Sequence, residues 1–130
     1  MRNLKLLLFV PIFMFGLNLI NAQSNPLAIA VITKAKWCST CKKNGDRVNK
    51  EVLSKINLDY VKIVVNDLSD KNTKAESVNL LATLGLIDLK LKSTGIITFF
   101  NAVTKEEIKN ISMNKTSAEI FEAFDVFEPK

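Results

Sequence analysis

Residues 27–33 most strongly limit the fold of this chain, because they form a nearly continuous apolar run of β-branched and small side chains. A strand that is apolar on both faces must be covered on both sides, which is typical of an interior strand of an α/β sheet. A short loop at 34–37 follows, and then a polar, helix-compatible stretch from Cys38 to about Ile56. The sequence therefore predicts a buried strand that leads directly into an amphipathic helix.

The rest of the chain alternates short β-type runs with amphipathic stretches. We predict further strands at 60–65, 95–100 and 106–113, the last two joined as a hairpin, and a second helix at 74–84. Residues 86–93 are harder to assign and are expected to form an irregular connection, with a short strand within it as the alternative. The second helix should turn the side chains of Val78, Leu81 and Leu84 inward.

A third helix is predicted near the end of the chain. Thr116 and Glu119 have the spacing of a capping box, in which the two residues satisfy each other's backbone N–H groups at a helix start. The apolar face of this helix should consist of Ile120, Phe121, Phe124 and Phe127. The resulting order β-α-β-α-β-β-α predicts an α/β three-layer sandwich, with a central mixed sheet flanked by helices on both sides.

The first 22 residues resemble a segment that is removed before folding. Arg2 and Lys5 precede an apolar run at 6–20, and the small residue Ala22 follows it. We predict a signal peptide at 1–22, cleaved after Ala22, and one domain at 23–130. A retained anchor is the alternative, although a run of about 15 residues is shorter than the roughly 20 that a spanning helix needs. We therefore expect a periplasmic protein without membrane contact after cleavage.

Composition restricts the chemistry to one pair of side chains. The chain has no His and 2 Cys, which excludes Ser-His-Asp and Cys-His catalysis, imidazole metal ligands and a Cys₄ metal site. Without Arg2 and Lys5, the 18 basic and 13 acidic residues leave a net charge of about +3, and no dense basic block suggests nucleic acid as a partner. Any redox or metal chemistry must therefore use Cys38 and Cys41.

The Cys38-x-x-Cys41 pair is placed where a buried strand ends and a helix begins. At a helix N-terminus, unpaired N–H groups and the positive end of the helix dipole stabilise a thiolate, whereas a thiol one turn further in is expected to be shielded. This arrangement suits Cys38 as the attacking thiol and Cys41 as the resolving thiol. Four lysines crowd the same end and either lower the thiol pKa further or form an ordinary solvated rim: Lys34, Lys36, Lys42 and Lys43.

Residues 30–42 (AVITKAKWCSTCK) resemble the first buried strand, loop and W-C-x-x-C-K active site of the thioredoxin superfamily. The stretch from Cys41 to Gly85 is similar to periplasmic thioredoxin-like domains of the DsbD C-terminal type. The resemblance implies a thiol-disulfide oxidoreductase with a redox disulfide between Cys38 and Cys41, acting on protein thiols and disulfides. It also implies a monomer that needs no dissociable cofactor and no metal.

The chain departs from this family at two positions. Residues 95–100 (GIITFF) resemble the segment that faces the cysteines, so the resemblance implies that Trp37, Ile96, Ile97 and Thr98 face the substrate, with Ile97 where the family has a cis-proline. A cis bond before a residue other than proline costs about 2.5–4 kcal/mol, so we expect a trans Ile96–Ile97 bond. Ile32 stands where many thioredoxins bury an acid that helps to deprotonate the resolving cysteine.

Other roles for the cysteine pair remain open at this point. The two thiolates could carry a soft metal such as Cu(I), with Met113 as the one further sulfur ligand after the predicted cleavage point. The domain could also be a non-catalytic module that docks a protein through Trp37 and the strand around Ile97, or the pair could form a structural bridge. Asp46 and Glu51 are expected to be solvated helix positions.

Overall fold

A computed structural model describes residues 25–86 and 93–130 of the 130-residue chain, and the strands in these residues form one mixed sheet. The strands are β1 (Ala28–Lys34), β2 (Val61–Asp67), β3 (Ile96–Asn101) and β4 (Glu107–Ser112). Their order is β2-β1-β3-β4, with β1 parallel to β2 and the other two neighbouring pairs antiparallel. All four predicted strands are confirmed, with ends shifted by one or two residues.

Three α-helices within the described residues cover the two faces of the sheet. They are α1 (Ser39–Glu51), α2 (Lys71–Thr83) and α3 (Ser117–Asp125), and a short 3₁₀ helix, Leu53–Lys55, follows α1. Helices α1 and α3 contribute Val48 and Phe124 to the core on one face, whereas α2 contributes Leu81 to the core on the other. This arrangement confirms the predicted α/β sandwich with a central mixed sheet.

Strand β1 is buried on both faces, as its sequence predicts. Residues 28–33 are each no more than 5% exposed. Because side chains alternate along a strand, Ala30 and Ile32 join the core beneath α1 and α3, whereas Ile29 and Val31 join the core beneath α2. The carboxyl end of β1 is thus held from both sides, and the loop that follows it starts from a fixed point.

Helix α2 begins three residues earlier than the predicted range 74–84. Asp70 caps it, because its carboxylate accepts hydrogen bonds from the backbone N–H groups of Asn72 and Thr73, each at 2.9 Å. These bonds satisfy N–H groups that have no partner within the helix. Lys71 therefore becomes the first helical residue.

The inner face of α2 also differs from the prediction. The prediction that Val78 faces inward is wrong, because its side chain is 55% exposed. Ser77 is buried in its place, and its hydroxyl accepts a hydrogen bond of 2.9 Å from the backbone N–H of Asp67 at the end of β2. A partly buried backbone donor needs such a partner, so a serine suits this position better than an aliphatic residue. The inward positions of Leu81, which is buried, and Leu84, which packs against the same core, are confirmed.

The predicted start of α3 is confirmed in detail. The Thr116 hydroxyl accepts from the Glu119 N–H at 3.2 Å, and the Glu119 carboxylate accepts from the Thr116 N–H at 2.9 Å. This capping box fixes where the helix begins. The predicted apolar residues all pack against the core beneath α1 and α3: Ile120, Phe121, Phe124 and Phe127.

Two sequence predictions lie outside the described residues. The signal peptide at 1–22 is one of them, and most of the irregular connection at 86–93 is the other. Within residues 25–86 and 93–130, no helix is both long and apolar enough to cross a membrane.

Candidate functional site

The cysteine pair lies at the junction of β1 and α1. Cys38 is the N-cap residue of α1, Cys41 lies in its first turn, and the two form a disulfide with their Cα atoms 5.3 Å apart. The backbone N–H of Cys41 donates to Cys38 Sγ at 3.2 Å. When the disulfide is reduced, this donor and the positive end of the helix dipole favour negative charge on Cys38 Sγ. The predicted position of Cys38 at the helix N-terminus is confirmed.

Cys38 is the more deeply buried of the two cysteines. Cys38 is only 5% exposed, whereas Cys41 is half-buried, so the prediction that Cys41 is the shielded thiol of the pair is wrong for the disulfide form. The loop before β3 approaches Cys38 closely, since a Cβ on Gly95 would lie 3.5 Å from Cys38 Sγ. Cys41 instead lines a cleft between α1 and the sheet.

The Gly95 backbone is held beside the cysteines by hydrogen bonds on both sides. Its N–H donates to the Thr33 carbonyl oxygen at 2.7 Å, and its own carbonyl accepts from the Met113 N–H at 2.8 Å. Its φ of +75° lies in the left-handed region that glycine adopts without strain. A Cβ here would also lie 2.8 Å from Thr40 Cγ2. Both the backbone angle and the close contact therefore require glycine.

Of the four residues that the resemblance places opposite a substrate, two reach the surface and two are buried. Trp37 is 63% exposed and Ile96 is half-buried, so both reach the surface. Ile97 and Thr98 are 0% and 6% exposed, which places their side chains in the interior. The described residues contain no cis peptide bond, and the expected trans Ile96–Ile97 bond is confirmed. Contact of these residues with a substrate stays a prediction.

The predicted basic rim is solvated, and a carboxylate lies next to it. All four lysines of the rim are exposed: Lys34, Lys36, Lys42 and Lys43. The Ser69 hydroxyl and the Ser69 backbone N–H both donate hydrogen bonds to the Asp67 carboxylate. These bonds hold the pKa of Asp67 below its ordinary value, and the positive charges of Lys34 and Lys36 lower this pKa further. The backbone N–H of Lys36 also donates to Ser69 Oγ at 2.9 Å, so the loop before Cys38 is tied to the loop after β2.

Sequence reasoning missed an arginine that joins α1 to the turn before α3. The Arg47 guanidinium donates to the carbonyl oxygens of Met113 and Lys115, at 2.8 and 2.9 Å, and to Ser117 Oγ at 2.7 Å. A guanidinium offers several donors in a fixed plane, which suits such a cluster of acceptors. The available signal was that Arg47 is the only arginine after Arg2 in a lysine-rich chain.

The cleft beside Cys41 brings together several residues that the sequence singled out. Ile32, which is 5% exposed, and Met113, which is 4% exposed, both line it, so an apolar side chain occupies the position where the resemblance implies an acid. Asp46 also lines the cleft, and Asp46 and Glu51 are both exposed as predicted. No group of three or more His, Cys, Asp or Glu side chains in the described part of the chain could hold a metal ion.

Comparison with solved structures identifies the fold. Trxlp from Edwardsiella tarda EIB202 matches with a TM-score of 0.50 and 10% identity, over 78% of this chain and 85% of that chain. Thioredoxins from Malassezia sympodialis and Fasciola hepatica have TM-scores of 0.49 and 0.48, at 15% and 17% identity, over 81% of this chain and 80% and 85% of theirs. No protein-family model and no curated protein matches the chain. The chain therefore has a thioredoxin-like fold, with a Cys-x-x-Cys disulfide at the start of its first helix.

Proposed function

We propose that this chain is a thiol-disulfide oxidoreductase that exchanges electrons with the disulfides of partner proteins through Cys38 and Cys41. The observation that carries the proposal is a disulfide across the N-terminus of α1, directly after a buried strand, in a thioredoxin-like fold. A purely structural role explains the pair poorly. A disulfide that closes a 15-residue loop stabilises a fold by about 3 kcal/mol, and one that closes so short a loop stabilises it by less.

In the reducing direction, the reaction has two steps. The Cys38 thiolate attacks one sulfur of a partner disulfide, which forms a mixed disulfide and releases the first partner thiolate. The Cys41 thiolate then attacks Cys38 Sγ, which forms the Cys38–Cys41 disulfide and releases the second partner thiolate. Two electrons pass to the partner, and a dithiol partner must later reduce the pair again. The exchange needs no dissociable cofactor, and a monomer suffices.

We further propose that the protein works outside the cytoplasm, in a reducing or exchange role. The signal-like pattern of residues 1–22 supports export, and disulfides persist in exported compartments. Ser39 and Thr40 separate the cysteines, and the chain has no histidine that would stabilise the thiolate further. Because the thiolate is only moderately stabilised, we expect a reduction potential away from the strongly oxidising end of the range that thioredoxin-fold proteins cover. Exposed Trp37 and the half-buried Ile96 would form part of the partner-docking surface.

Trapping of the mixed disulfide tests the proposal. A Cys41→Ser variant cannot complete the second step, so it should accumulate partner proteins bound through Cys38 in adducts that dithiothreitol releases. A Cys38→Ser variant is the matched control, because it keeps one cysteine of the pair and lacks the attacking thiol. Adducts in the exported fraction with Cys41→Ser and none with Cys38→Ser are expected. Equal recovery from both variants, or none from either, would contradict the proposal.

A Cu(I) carrier is the second candidate, and Met113 favours it. The Met113 thioether is nearly buried and lines the same cleft as Cys41, so a third soft ligand lies on the side of the cysteine pair that is open to the cleft. Titration of the reduced protein with Cu(I) against a competing chelator tests this candidate. Tight 1:1 binding that Met113→Leu weakens would support it, whereas weak binding together with disulfide reductase activity would exclude it.

A further inference from the structure

The backbone of Met113 connects Arg47 to Gly95. The Met113 carbonyl oxygen accepts a hydrogen bond of 2.8 Å from the Arg47 guanidinium, and the Met113 N–H donates to the Gly95 carbonyl oxygen, also at 2.8 Å. Gly95 is bonded on its other side as well, because its N–H donates to the Thr33 carbonyl oxygen at 2.7 Å. Arg47 therefore reaches, through one buried residue, the backbone that packs directly against Cys38.

Arg47 is also joined to a residue that lies between the two cysteines. Its guanidinium donates to Asn44 Oδ1 at 3.0 Å, and Asn44 Nδ2 donates to the Thr40 carbonyl oxygen at 3.1 Å. The two routes from Arg47 thus end on the two sides of one contact, because a Cβ on Gly95 would lie 2.8 Å from Thr40 Cγ2. Together these bonds and this contact form a closed ring, which fixes the Gly95 backbone relative to the start of α1.

The ring matters for Cys38 because this residue is nearly buried. Cys38 is 5% exposed, and its Sγ lies 3.5 Å from the position that a Cβ on Gly95 would take. No hydrogen bond of the ring involves a sulfur atom, so reduction of the disulfide does not break the ring. A reagent that approaches the Cys38 sulfur from this side must therefore displace the Gly95 backbone.

We propose that Arg47 is a positioning residue that keeps the Gly95 backbone against Cys38 and thereby makes the exchange selective for partners that dock on the protein. The inference rests on the proposed function and concerns its first step, the attack of the Cys38 thiolate on a disulfide. A partner that binds across Trp37 and Ile96 gains binding energy that can offset a displacement of Gly95. A small disulfide gains little, so it should reach Cys38 slowly. Arg47 acts on the reacting sulfur only through the ring.

Alkylation of the reduced protein measures access to Cys38 without any partner. Iodoacetamide is added from pH 5 to pH 10, and peptide mapping by mass spectrometry gives the rate at Cys38 alone, with a plateau at high pH that is the rate of the thiolate. Arg47→Ala should raise this plateau at least about threefold, because a loosened Gly95 backbone opens more often. Arg47→Lys should raise it too, since one ammonium cannot replace the planar fork. The midpoint of the pH profile should not move in Arg47→Lys, which keeps the charge.

Leu81→Ala is the matched control, because it removes a buried side chain on the other face of the sheet and destabilises the fold without touching the ring. Its alkylation plateau should equal that of the wild type. A rise as large as that of Arg47→Ala would show that access depends on stability alone and would overturn the inference, as would a wild-type plateau in Arg47→Ala. If Arg47→Ala does not fold, Asn44→Ala breaks the other route of the ring and carries the same expectation.

Selectivity is measured by the rates at which insulin and hydroxyethyl disulfide, a small neutral disulfide, oxidise the reduced protein. The ratio of the insulin rate to the small-disulfide rate should fall at least about threefold in Arg47→Ala, because the small disulfide gains most from freer access. An unchanged ratio overturns the selectivity and leaves the proposed function intact. A wild-type protein that does not react with insulin overturns the proposed function, whereas the alkylation plateaus still decide whether Arg47 positions Gly95.

Discussion

Gly95 and Thr40 approach each other so closely that position 95 has no room for a side chain: a Cβ there would lie 2.8 Å from Thr40 Cγ2 and 2.9 Å from Thr40 Cβ. Thr40 is one of the two residues between the cysteines, and Cys38 Sγ lies 3.5 Å from the same point. The Gly95 backbone therefore packs directly against Thr40 and Cys38.

Replacement of Gly95 by alanine should be costly for two separate reasons. A left-handed backbone costs a residue with a Cβ about 1–2 kcal/mol, and the overlap with Thr40 should add about 1–3 kcal/mol. Gly85→Ala is the matched control, because Gly85 has nearly the same φ, +74°, but its nearest contact would be the flexible Lys105 side chain at 3.4 Å. Urea unfolding should show a larger loss for Gly95→Ala, and equal losses would contradict the importance of the Thr40 contact.

Arg47 should contribute strongly to the attachment of α1 to the turn before α3. Arg47→Ala removes donors from four oxygen acceptors at once, because the guanidinium also donates to Asn44 Oδ1 on the same helix. A bond to a charged group contributes about 1.5–3 kcal/mol, so we expect a loss of at least about 2 kcal/mol. Arg47→Lys should recover little of it, because one ammonium cannot reproduce the planar fork. Lys50→Ala, at an exposed position of the same helix, should change the free energy of unfolding by less than about 0.5 kcal/mol. Full rescue by lysine would count against this account.

The carboxylates that cap α2 and α3 should make the free energy of unfolding depend on pH in the acidic range. Backbone N–H bonds from Thr73 and Asn72 hold the pKa of Asp70 below its ordinary value of 3.8, and bonds from Thr116 hold that of Glu119 below 4.5. A carboxylate whose pKa is lower in the folded than in the unfolded state contributes its full stabilisation of the fold when the pH is above its unfolded-state pKa. This stabilisation is lost as the pH falls through its folded-state pKa. Urea unfolding from pH 6 to pH 2 should therefore show a smaller acid loss for the double variant Asp70→Asn, Glu119→Gln, whereas an unchanged pH profile would contradict the role of the caps.

Trp37 should matter for partner binding and little for folding. Its side chain is 63% exposed, so Trp37→Ala should change the free energy of unfolding by less than about 0.5 kcal/mol. If partners dock beside the cysteines, the KM for a protein disulfide should rise several-fold, whereas reaction with a small disulfide such as oxidised dithiothreitol should not change. Val103→Ala is the control, because Val103 is 87% exposed and lies in the loop between β3 and β4. Equal effects on both kinds of disulfide would contradict a docking role.

Much of the fold could be predicted because its signals are local. The apolar run of β1 and the Thr116–Glu119 capping box each specify their element through neighbouring residues, and both are confirmed. The start of α2 was missed because Asp70 lies in a stretch rich in Asn, Asp and Ser, where one capping residue cannot be distinguished from a turn residue. Aliphatic spacing predicts an inward Val78, because that spacing does not show that the backbone of β2 needs the Ser77 hydroxyl as a hydrogen-bond acceptor.

The location of the cysteine pair could be predicted, but its accessibility could not. The position of Cys38 at the helix start follows from the order of strand and helix in the sequence. Its burial depends on Gly95, which is far away in the chain and approaches only after β3 has paired with β1. The Arg47 bonds to Met113, Lys115 and Ser117 likewise join residues 66 to 70 positions apart, so no local pattern reveals them.

The most direct test of the central claim is the rate at which the reduced protein becomes oxidised by a protein disulfide. Reduced protein mixed with insulin should form the Cys38–Cys41 disulfide, measured by mass as the loss of two hydrogens, with one insulin disulfide opened for each pair oxidised. The rate should exceed that of free dithiothreitol at the same dithiol concentration by at least about tenfold, because the helix N-terminus stabilises the Cys38 thiolate. Oxidation no faster than that of dithiothreitol, or insulin opening at the same rate with Cys38→Ser, would contradict the account.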